Sequence, residues 1–289
     1  MTAKMAASMK VVLFRKFLQF SGRLWKPKLW RKSVTTPIGA VSHARSFSVS
    51  SYMSDGAVPK QESLQSKEGE METKIINPSD HEDYFGVKEM VSLKDLFDAK
   101  VHLGHKAGSR HQYMVPYIFG SRLNCDIIDL EQTVELLHDA LNFTGHIAFR
   151  KGIILFVSRS YQMLPEVEKT AFDCGEYSHC RFWQGGVFAN ATIQFNAITR
   201  LPDVCIFINT LNPILDTHIG IADAGKLNIP TIGILDTNCD PRLITYPVPG
   251  NDDTPSAVRL YLRLFKDVIM KAKAKRKELE EKGYIIQLD

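Results

Sequence analysis

Histidine and cysteine side chains, the usual ligands of zinc, form two short clusters in this sequence. They are His102, His105 and His111 in one segment and Cys174, His179 and Cys180 in another. No carboxylate or cysteine completes the histidine group within its own segment, and no second pair at zinc-finger spacing follows the cysteines. The sequence therefore predicts no metal site and no cofactor.

Acidic and amide side chains follow an apolar run, TIGIL, at the point where open α/β sheets place their ligands. The chain contains no glycine-rich phosphate loop and no GxSxG nucleophile elbow, so the pattern does not indicate an enzyme. We expect these side chains to cap the backbone amides of a turn, which two prolines make rigid. The predicted turn residues are Asp236, Asn238, Asp240, Pro249, Asn251 and Asp252, with Asp252 or Asp253 also expected to cap the next helix.

Basic and aromatic residues alternate in VHLGHKAGSRHQYMVPY at 101–117. Lysine and arginine bind phosphates, and tyrosines stack on unpaired bases. The segment is therefore a candidate RNA contact, and the alternative is an ordinary basic loop.

Apolar runs and amphipathic stretches alternate over most of the chain. Strands are expected at about 152–158, 180–183, 204–209 and 231–236, and helices at 93–100, 130–151, 164–174, 215–227 and 255–282. Ser92 and Asp129 are the expected caps of the first two helices, and Gly104 is expected to close the first. Uniformly apolar strands between such helices indicate a doubly wound α/β fold, with a mostly parallel sheet covered on both faces.

Four segments together resemble the ribosomal protein S-two family of the small subunit. They are VHLGH at 101–105, YIFGSRLNCDIIDLEQTVELL at 117–137, RFWQGGVFAN at 181–190 and ILDTNCDPRLITYPVPGNDD at 234–253. The resemblance runs from about residue 91 to 264, is of the bacterial type, and implies a Rossmann-like sheet in a non-catalytic ribosomal constituent. Bacterial members carry a long helical hairpin before the LPD segment, but only residues 191–200 lie there, so this chain is expected to lack it.

The first 50 residues contain ten Lys or Arg and no Asp or Glu, so the remaining residues carry a net charge of about −6. An acid-free leader with Arg, Ser and amphipathic potential is typical of a mitochondrial transit peptide. The alternative is a basic RNA-binding arm. We expect a leader at 1–54, a flexible polar arm at 55–90, the α/β domain at 91–264 and a charged helix and tail at 265–289.

Candidate RNA contacts follow from the basic segment and from the positions that match the family. They are His102, His105, Lys106, Arg110, His111, Arg122, Arg159, Arg181, Trp183, Lys271, Lys273, Lys275 and Arg276. The last four lie on a helix whose charges are equally consistent with a solvated face.

The expected partners are mitochondrial small-subunit ribosomal RNA and neighbouring ribosomal proteins, in the mitochondrial matrix, with no membrane and no homo-oligomer. Two alternatives remain open from the sequence. The first is a matrix α/β enzyme or ligand-binding protein that uses the loop at 236–240. The second is a free protein-interaction module.

Overall fold

The computed structural model describes residues 75–76, 78, 81–196, 199–212, 216–283 and 285–286. The predicted leader at 1–54, most of the predicted arm and the last three residues lie outside this range. All statements below concern the described residues, which belong to one compact unit.

Ten strands and six α-helices follow one another in the described part of the chain. The strands are β1 (Ile75–Ile76), β2 (Leu103–Lys106), β3 (Ile118–Arg122), β4 (Cys125–Ile128), β5 (Ile154–Val157), β6 (Tyr177–His179), β7 (Val204–Phe207), β8 (Thr231–Leu235), β9 (Tyr246–Pro249) and β10 (Ile285–Ile286). The helices are α1 (Leu93–Asp98), α2 (Leu130–Phe149), α3 (Leu164–Cys174), α4 (Ala191–Phe195), α5 (Ile219–Lys226) and α6 (Pro255–Glu281).

A five-stranded parallel sheet forms the centre of the fold, in the order β6-β5-β7-β8-β9. Every residue of β7 and β8 is buried, as expected for a sheet covered on both faces. Alternate residues of β7 enter two separate apolar clusters: Ile206 packs with α2, α3 and α6, whereas Cys205 and Phe207 pack with α5. The predicted doubly wound α/β fold is confirmed.

The sheet ends at β9, a strand that the sequence indicated only as a rigid turn. Pro247 and Pro249 have no backbone N–H to donate, and β9 tolerates them because it lies at the edge of the sheet. The strand predicted at 180–183 is also displaced: β6 ends at His179, and the chain then turns so that Trp183 is buried.

A second sheet, antiparallel in the order β2-β4-β3, was not predicted. Leu123 and Asn124 form the two-residue turn between β3 and β4, and both have positive φ angles, 50° and 64°. Positive φ at both central residues is the conformation of a type I′ hairpin turn, in which Asn is common and Leu is not. The turn exposes Leu123, whose side chain is 91% exposed.

Helix ends confirm one of the predicted caps and correct three others. Asp129 caps α2 by accepting a hydrogen bond from the Glu131 amide. Ser92 makes no capping hydrogen bond, and α1 ends before Lys100, which has a positive φ angle, rather than at Gly104. Thr254 is the N-cap residue of α6, without a capping hydrogen bond from its side chain, so neither Asp252 nor Asp253 caps this helix. The amides of Asp253 and Thr254, in the turn before the helix, donate to Asn251 Oδ1.

The packed part of the chain differs from the domain boundaries expected from the sequence. Phe85 and Val87 are buried in the core although they were assigned to the flexible arm. Helix α6 is continuous across residue 264 and is buried as far as Ala272, so no boundary falls at 265. Val258 and Phe265 lie on its buried apolar face.

No described helix is both long enough and apolar enough to cross a lipid bilayer.

The approach of Gly250 to Tyr261 can be tested by substitution. A Cβ at position 250 would lie 2.0 Å from Tyr261 Oη and 3.1 Å from Val101 Cγ1, and Tyr261 is fully buried. We expect Gly250→Ala to lower the free energy of unfolding by about 1–3 kcal/mol, measured by urea denaturation of the purified protein.

Two further variants identify the cause of that loss. Because the clashing atom is a hydroxyl oxygen without a hydrogen-bond partner, Tyr261→Phe should recover part of the stability lost in Gly250→Ala. Gly225→Ala is the matched control, since nothing lies within 4 Å of a Cβ there. Equal stabilities of Gly250→Ala and Gly225→Ala would contradict the assignment.

Candidate functional site

The loop that follows β8 is joined to β2 and to the segment after it by hydrogen bonds from two backbone amides. The His105 amide donates to Thr237 Oγ1 at 3.0 Å, and the His111 amide donates to the Thr237 carbonyl at 2.8 Å. A Cβ on Gly104 would lie 2.5 Å from Thr237 Cγ2, so glycine is needed for the two segments to approach this closely. The contact brings His105 to the carboxyl end of β8.

His105 lies between two carboxylates at this junction. Its Nδ1 is 3.0 Å from Asp236 Oδ2, and its Nε2 is 3.4 Å from Asp253 Oδ2. The Asp236 carboxylate, which is buried, raises the pKa of His105 to about 9 against the opposing effect of burial. We call His105, Asp236, Asp252 and Asp253 the aspartate cluster. His105 is its positive member at neutral pH.

Asp252 is buried in the aspartate cluster, as is Asp236. Burial, followed by the negative charges of Asp236 and Asp253, raises the pKa of its carboxyl group to about 8. Asn209 Nδ2 donates to Asp252 Oδ2 at 3.2 Å, and Asn209 Oδ1 accepts from Ser158 Oγ at 2.9 Å. This network connects the cluster to the ends of β5 and β7, where the strand order of the sheet reverses.

Three members of the aspartate cluster have ligand atoms close enough to hold one metal ion. The ligand atoms of His105, Asp236 and Asp253 all lie within 4.8 Å of one another. An imidazole nitrogen with two carboxylates suits a divalent cation such as zinc. The sequence did not indicate this set, because Asp236 and Asp253 lie more than 130 positions after His105 in the chain.

The predicted turn residues bind mainly the backbone of the chain itself. Asp236 Oδ1 accepts from the Thr237 amide, and Asp240 accepts from the amide and guanidinium of Arg242. Asn251 Nδ2 donates to the Lys100 carbonyl at 3.2 Å. Asn238 Oδ1 accepts from Cys239 Sγ at 3.3 Å, and the Pro249 carbonyl accepts from Thr133 Oγ1 at 2.9 Å.

Three of the predicted RNA contacts on α6 are used inside the protein. Lys275 donates to the Tyr84 carbonyl and lies over the Tyr84 ring, and Arg276 donates to the Phe149 carbonyl. Lys273 binds the Cys174 carbonyl and the buried Glu176 carboxylate. These cations hold the segment before α1 and the end of α3 against α6. On this helix, Lys271 alone of the four candidates is exposed without a described charged partner.

Several candidates outside α6 are also engaged in internal contacts. Arg110 forms a bidentate pair with the buried Asp126 carboxylate, and His102 stacks on Phe97 with ring centroids 4.4 Å apart. His111 accepts from the Tyr113 amide. Trp183 is 3% exposed and donates from Nε1 to Asp223 Oδ2 at 3.1 Å, so it is not available to RNA in this conformation.

Apart from Lys271, the remaining candidates, which are exposed or half-buried, lie at two places. Lys106 and Arg122 lie on the antiparallel sheet and have no described charged partner. At the carboxyl edge of the parallel sheet, Arg159 lies 5.7 Å from the centroid of the Phe182 ring, and Arg181 is 3.5 Å from a Glu168 oxygen. Lys106 and Arg122 are therefore two exposed candidates without a described charged partner that lie on one sheet, whereas Lys271 is the single such candidate on α6.

Sequence reasoning missed Thr237, Thr133 and Arg242 as residues that build this region. Arg242 lies 3.5 Å from the centroid of the Tyr113 ring, which holds the turn after β8 against the segment after β2. Thr237 lies in the segment 234–253 on which the family resemblance rests, but a threonine there does not by itself predict a contact with the histidine segment.

The fold and the site together define a doubly wound α/β protein with an exposed basic sheet. Comparison with known proteins agrees with this class. The family model described as Ribosomal protein S2 matches residues 96–196 and 192–272. This chain therefore belongs to the ribosomal protein S2 family, whose members are structural constituents of the ribosome rather than enzymes.

Individual relatives support the same assignment. The chain is 56% identical over 206 residues to the small ribosomal subunit protein uS2m of Bos taurus, an alignment that covers 71% of this chain and 70% of that protein. It is 31% identical over 236 residues to the small ribosomal subunit protein uS2 of Idiomarina loihiensis, with 68% and 98% covered. For uS2 of Caulobacter vibrioides the identity is 34% over 221 residues, with 62% and 81% covered.

The His105–Asp236 pair predicts a pH dependence of stability. Because the folded-state pKa of His105, about 9, lies above its ordinary value of 6.5, the charged imidazolium stabilises the fold fully below about pH 6.5. That contribution is lost as the pH rises through 9. We expect the urea midpoint to fall more steeply between pH 7 and pH 10 in the parent protein than in His105→Gln.

The measurement is made with a chelator present, so that no metal competes for the imidazole. His138→Gln is the control, since the pKa of His138 is lowered by burial and this group is neutral above pH 7. Parallel pH profiles for the parent and His105→Gln would show that the pair contributes nothing.

Proposed function

We propose that this protein is a structural constituent of the mitochondrial small ribosomal subunit that supports assembly and mitochondrial translation. The observation that carries the proposal is the identity of 56% to a relative named small ribosomal subunit protein uS2m. The family match at residues 96–196 and 192–272 includes the parallel sheet and the aspartate cluster. Its place is the mitochondrial matrix, and its partners are ribosomal RNA and neighbouring small-subunit proteins.

The antiparallel sheet is the surface best suited to RNA. Lys106 on β2 and Arg122 at the end of β3 are exposed cations, and Phe119 on β3 is 81% exposed. Cations bind phosphates, and exposed aromatic rings stack on unpaired bases. Two exposed cations without a described charged partner lie on this one sheet, and we propose it as the docking face, which binds RNA locally rather than wrapping it.

Residues 1–54, outside the described part of the chain, are proposed to be a mitochondrial transit peptide. The support is their composition, which is basic and free of acids up to Asp55. We also propose that the chain acts as one copy within the subunit and not as a homo-oligomer.

Sedimentation of a mitochondrial lysate with and without ribonuclease tests the ribosomal role. The chain should migrate with the small-subunit RNA, and ribonuclease should disrupt that migration. Persistence near the top of the gradient in both samples would contradict the proposal and favour a ligand-binding protein or a free interaction module.

Charge reversal tests the docking face. We expect the double variant Lys106→Glu/Arg122→Glu to weaken binding to small-subunit RNA. The slope of log affinity against log salt should fall by about 1–2, because fewer phosphate contacts form and fewer counterions are released on binding. The readout is filter binding of the purified protein over a salt series.

The matched control is Lys94→Glu/Lys282→Glu, which changes the net charge equally at two exposed lysines away from the sheet. If both double variants change the salt slope equally, the effect is one of net charge, and the antiparallel sheet is not the docking face.

A further inference from the structure

A segment present in bacterial relatives is missing from this chain at α4. The alignment with the Idiomarina protein has 236 positions but covers 68% of 289 residues, about 197, so about 39 bacterial positions have no counterpart here. The family model matches in two parts, 96–196 and 192–272, that meet at 192–196. The gap therefore falls in α4 or directly after it.

Large apolar side chains are exposed at this place. Ile193 on α4 is 68% exposed, Phe182 before it is 71% exposed, and Tyr161 is 76% exposed. The strands β5 and β6 are parallel neighbours with Val157 opposite His179, so the segments with Tyr161 and Phe182 leave the same edge of the sheet. Gln194 Nε2 donates to the Gly185 carbonyl at 3.0 Å and holds α4 against the loop that follows Phe182.

The charge beside these residues is positive and incompletely neutralised. The Arg159 guanidinium packs on the Phe182 ring, its Nε is buried without a hydrogen-bond partner, and it forms no ion pair within the described residues. Arg181 makes a single 3.5 Å contact with a partly exposed Glu168. A carboxylate brought by another molecule would satisfy Arg159.

We propose that Tyr161, Phe182 and Ile193, here called the α4 surface, bind a segment of a neighbouring small-subunit protein that presents apolar side chains to this surface and a carboxylate to Arg159. The proposal rests on the proposed ribosomal function. Aromatic and arginine residues dominate binding energy at protein interfaces, and the α4 surface combines both.

A protein suits this surface better than RNA does. Ile193 has no ring on which a base could stack, whereas an aliphatic side chain packs well against apolar protein side chains. In the bacterial relative, about 39 additional residues of protein leave the chain at this position. The α4 surface of this chain therefore lies beside the position at which that relative has additional residues.

Site-specific photo-crosslinking of the full chain in mitochondria tests the α4 surface. A photoreactive amino acid replaces Ile193 in one variant and Phe172, 70% exposed on α3, in the control. In gradient fractions that contain the small subunit, position 193 should crosslink to a protein segment with apolar and acidic residues, at least tenfold above position 172. Crosslinks to RNA alone, or equal yields at both positions, would overturn the proposal.

Arginine variants test the charge. With the photoreactive residue at 193, Arg159→Glu should lower the yield about tenfold, the loss of a typical interface hot spot, while Arg159→Lys should retain most of it. Equal yields for the two variants would exclude a partner carboxylate.

The two proposals fail in different ways. If the chain is absent from the small-subunit fractions, the proposed function fails and the α4 surface fails with it. If the chain sediments with the subunit but position 193 crosslinks no better than position 172, only the α4 surface is wrong.

Discussion

The contact between Thr237 and the segment at 104–111 is the interaction on which the arrangement of the site depends. Two backbone amides, those of His105 and His111, bind one threonine that lies 132 positions beyond the first of them. The approach is close because Gly104 has no side chain. Without this contact the antiparallel sheet would lose its main link to the loop after β8, and His105 would not reach Asp236. The basic face and the aspartate cluster therefore share one structural cause.

Much of the positive charge on α6 stabilises the fold. Lys273, Lys275 and Arg276 each donate a hydrogen bond to a backbone carbonyl of another segment. The partner of Lys275 is the Tyr84 carbonyl, next to the buried Phe85, so these contacts fix a segment that composition alone marked as flexible. A carbonyl that is bound by a lysine is satisfied without sheet or helix pairing, which explains how the segment packs with little regular structure.

Periodicity was sufficient to predict the parallel sheet and the long helices, because burial on both faces makes β7 and β8 uniformly apolar and α6 strongly amphipathic. It failed where another constraint decided. Pro247 and Pro249 are atypical of a strand, so β9 was not predicted. The hairpin turn at Leu123 and Asn124 lacks the usual glycine, so the antiparallel sheet was not predicted either. The aspartate cluster could not be predicted, since His105 and Asp253 approach each other only through the tertiary fold. Likewise, Lys275 was predicted to contact RNA because it is basic, but in the fold it donates to the Tyr84 carbonyl.

Open α/β sheets usually leave a crevice at the carboxyl edge where the strand order reverses, and ligands bind there. In this protein the chain's own side chains occupy that edge. Ser158 and Asn209 bind each other across the ends of β5 and β7, and Asn209 continues the network to Asp252. Nearby, Trp183 and His218 pack edge to face, and burial lowers the pKa of His218 to about 4, so the imidazole is neutral. Within the described residues, these hydrogen bonds and ring contacts link the ends of β5 and β7 to the aspartate cluster and make this edge of the scaffold rigid. Rigidity is what a structural constituent requires, because the surfaces that bind its neighbours must be held in fixed relative positions.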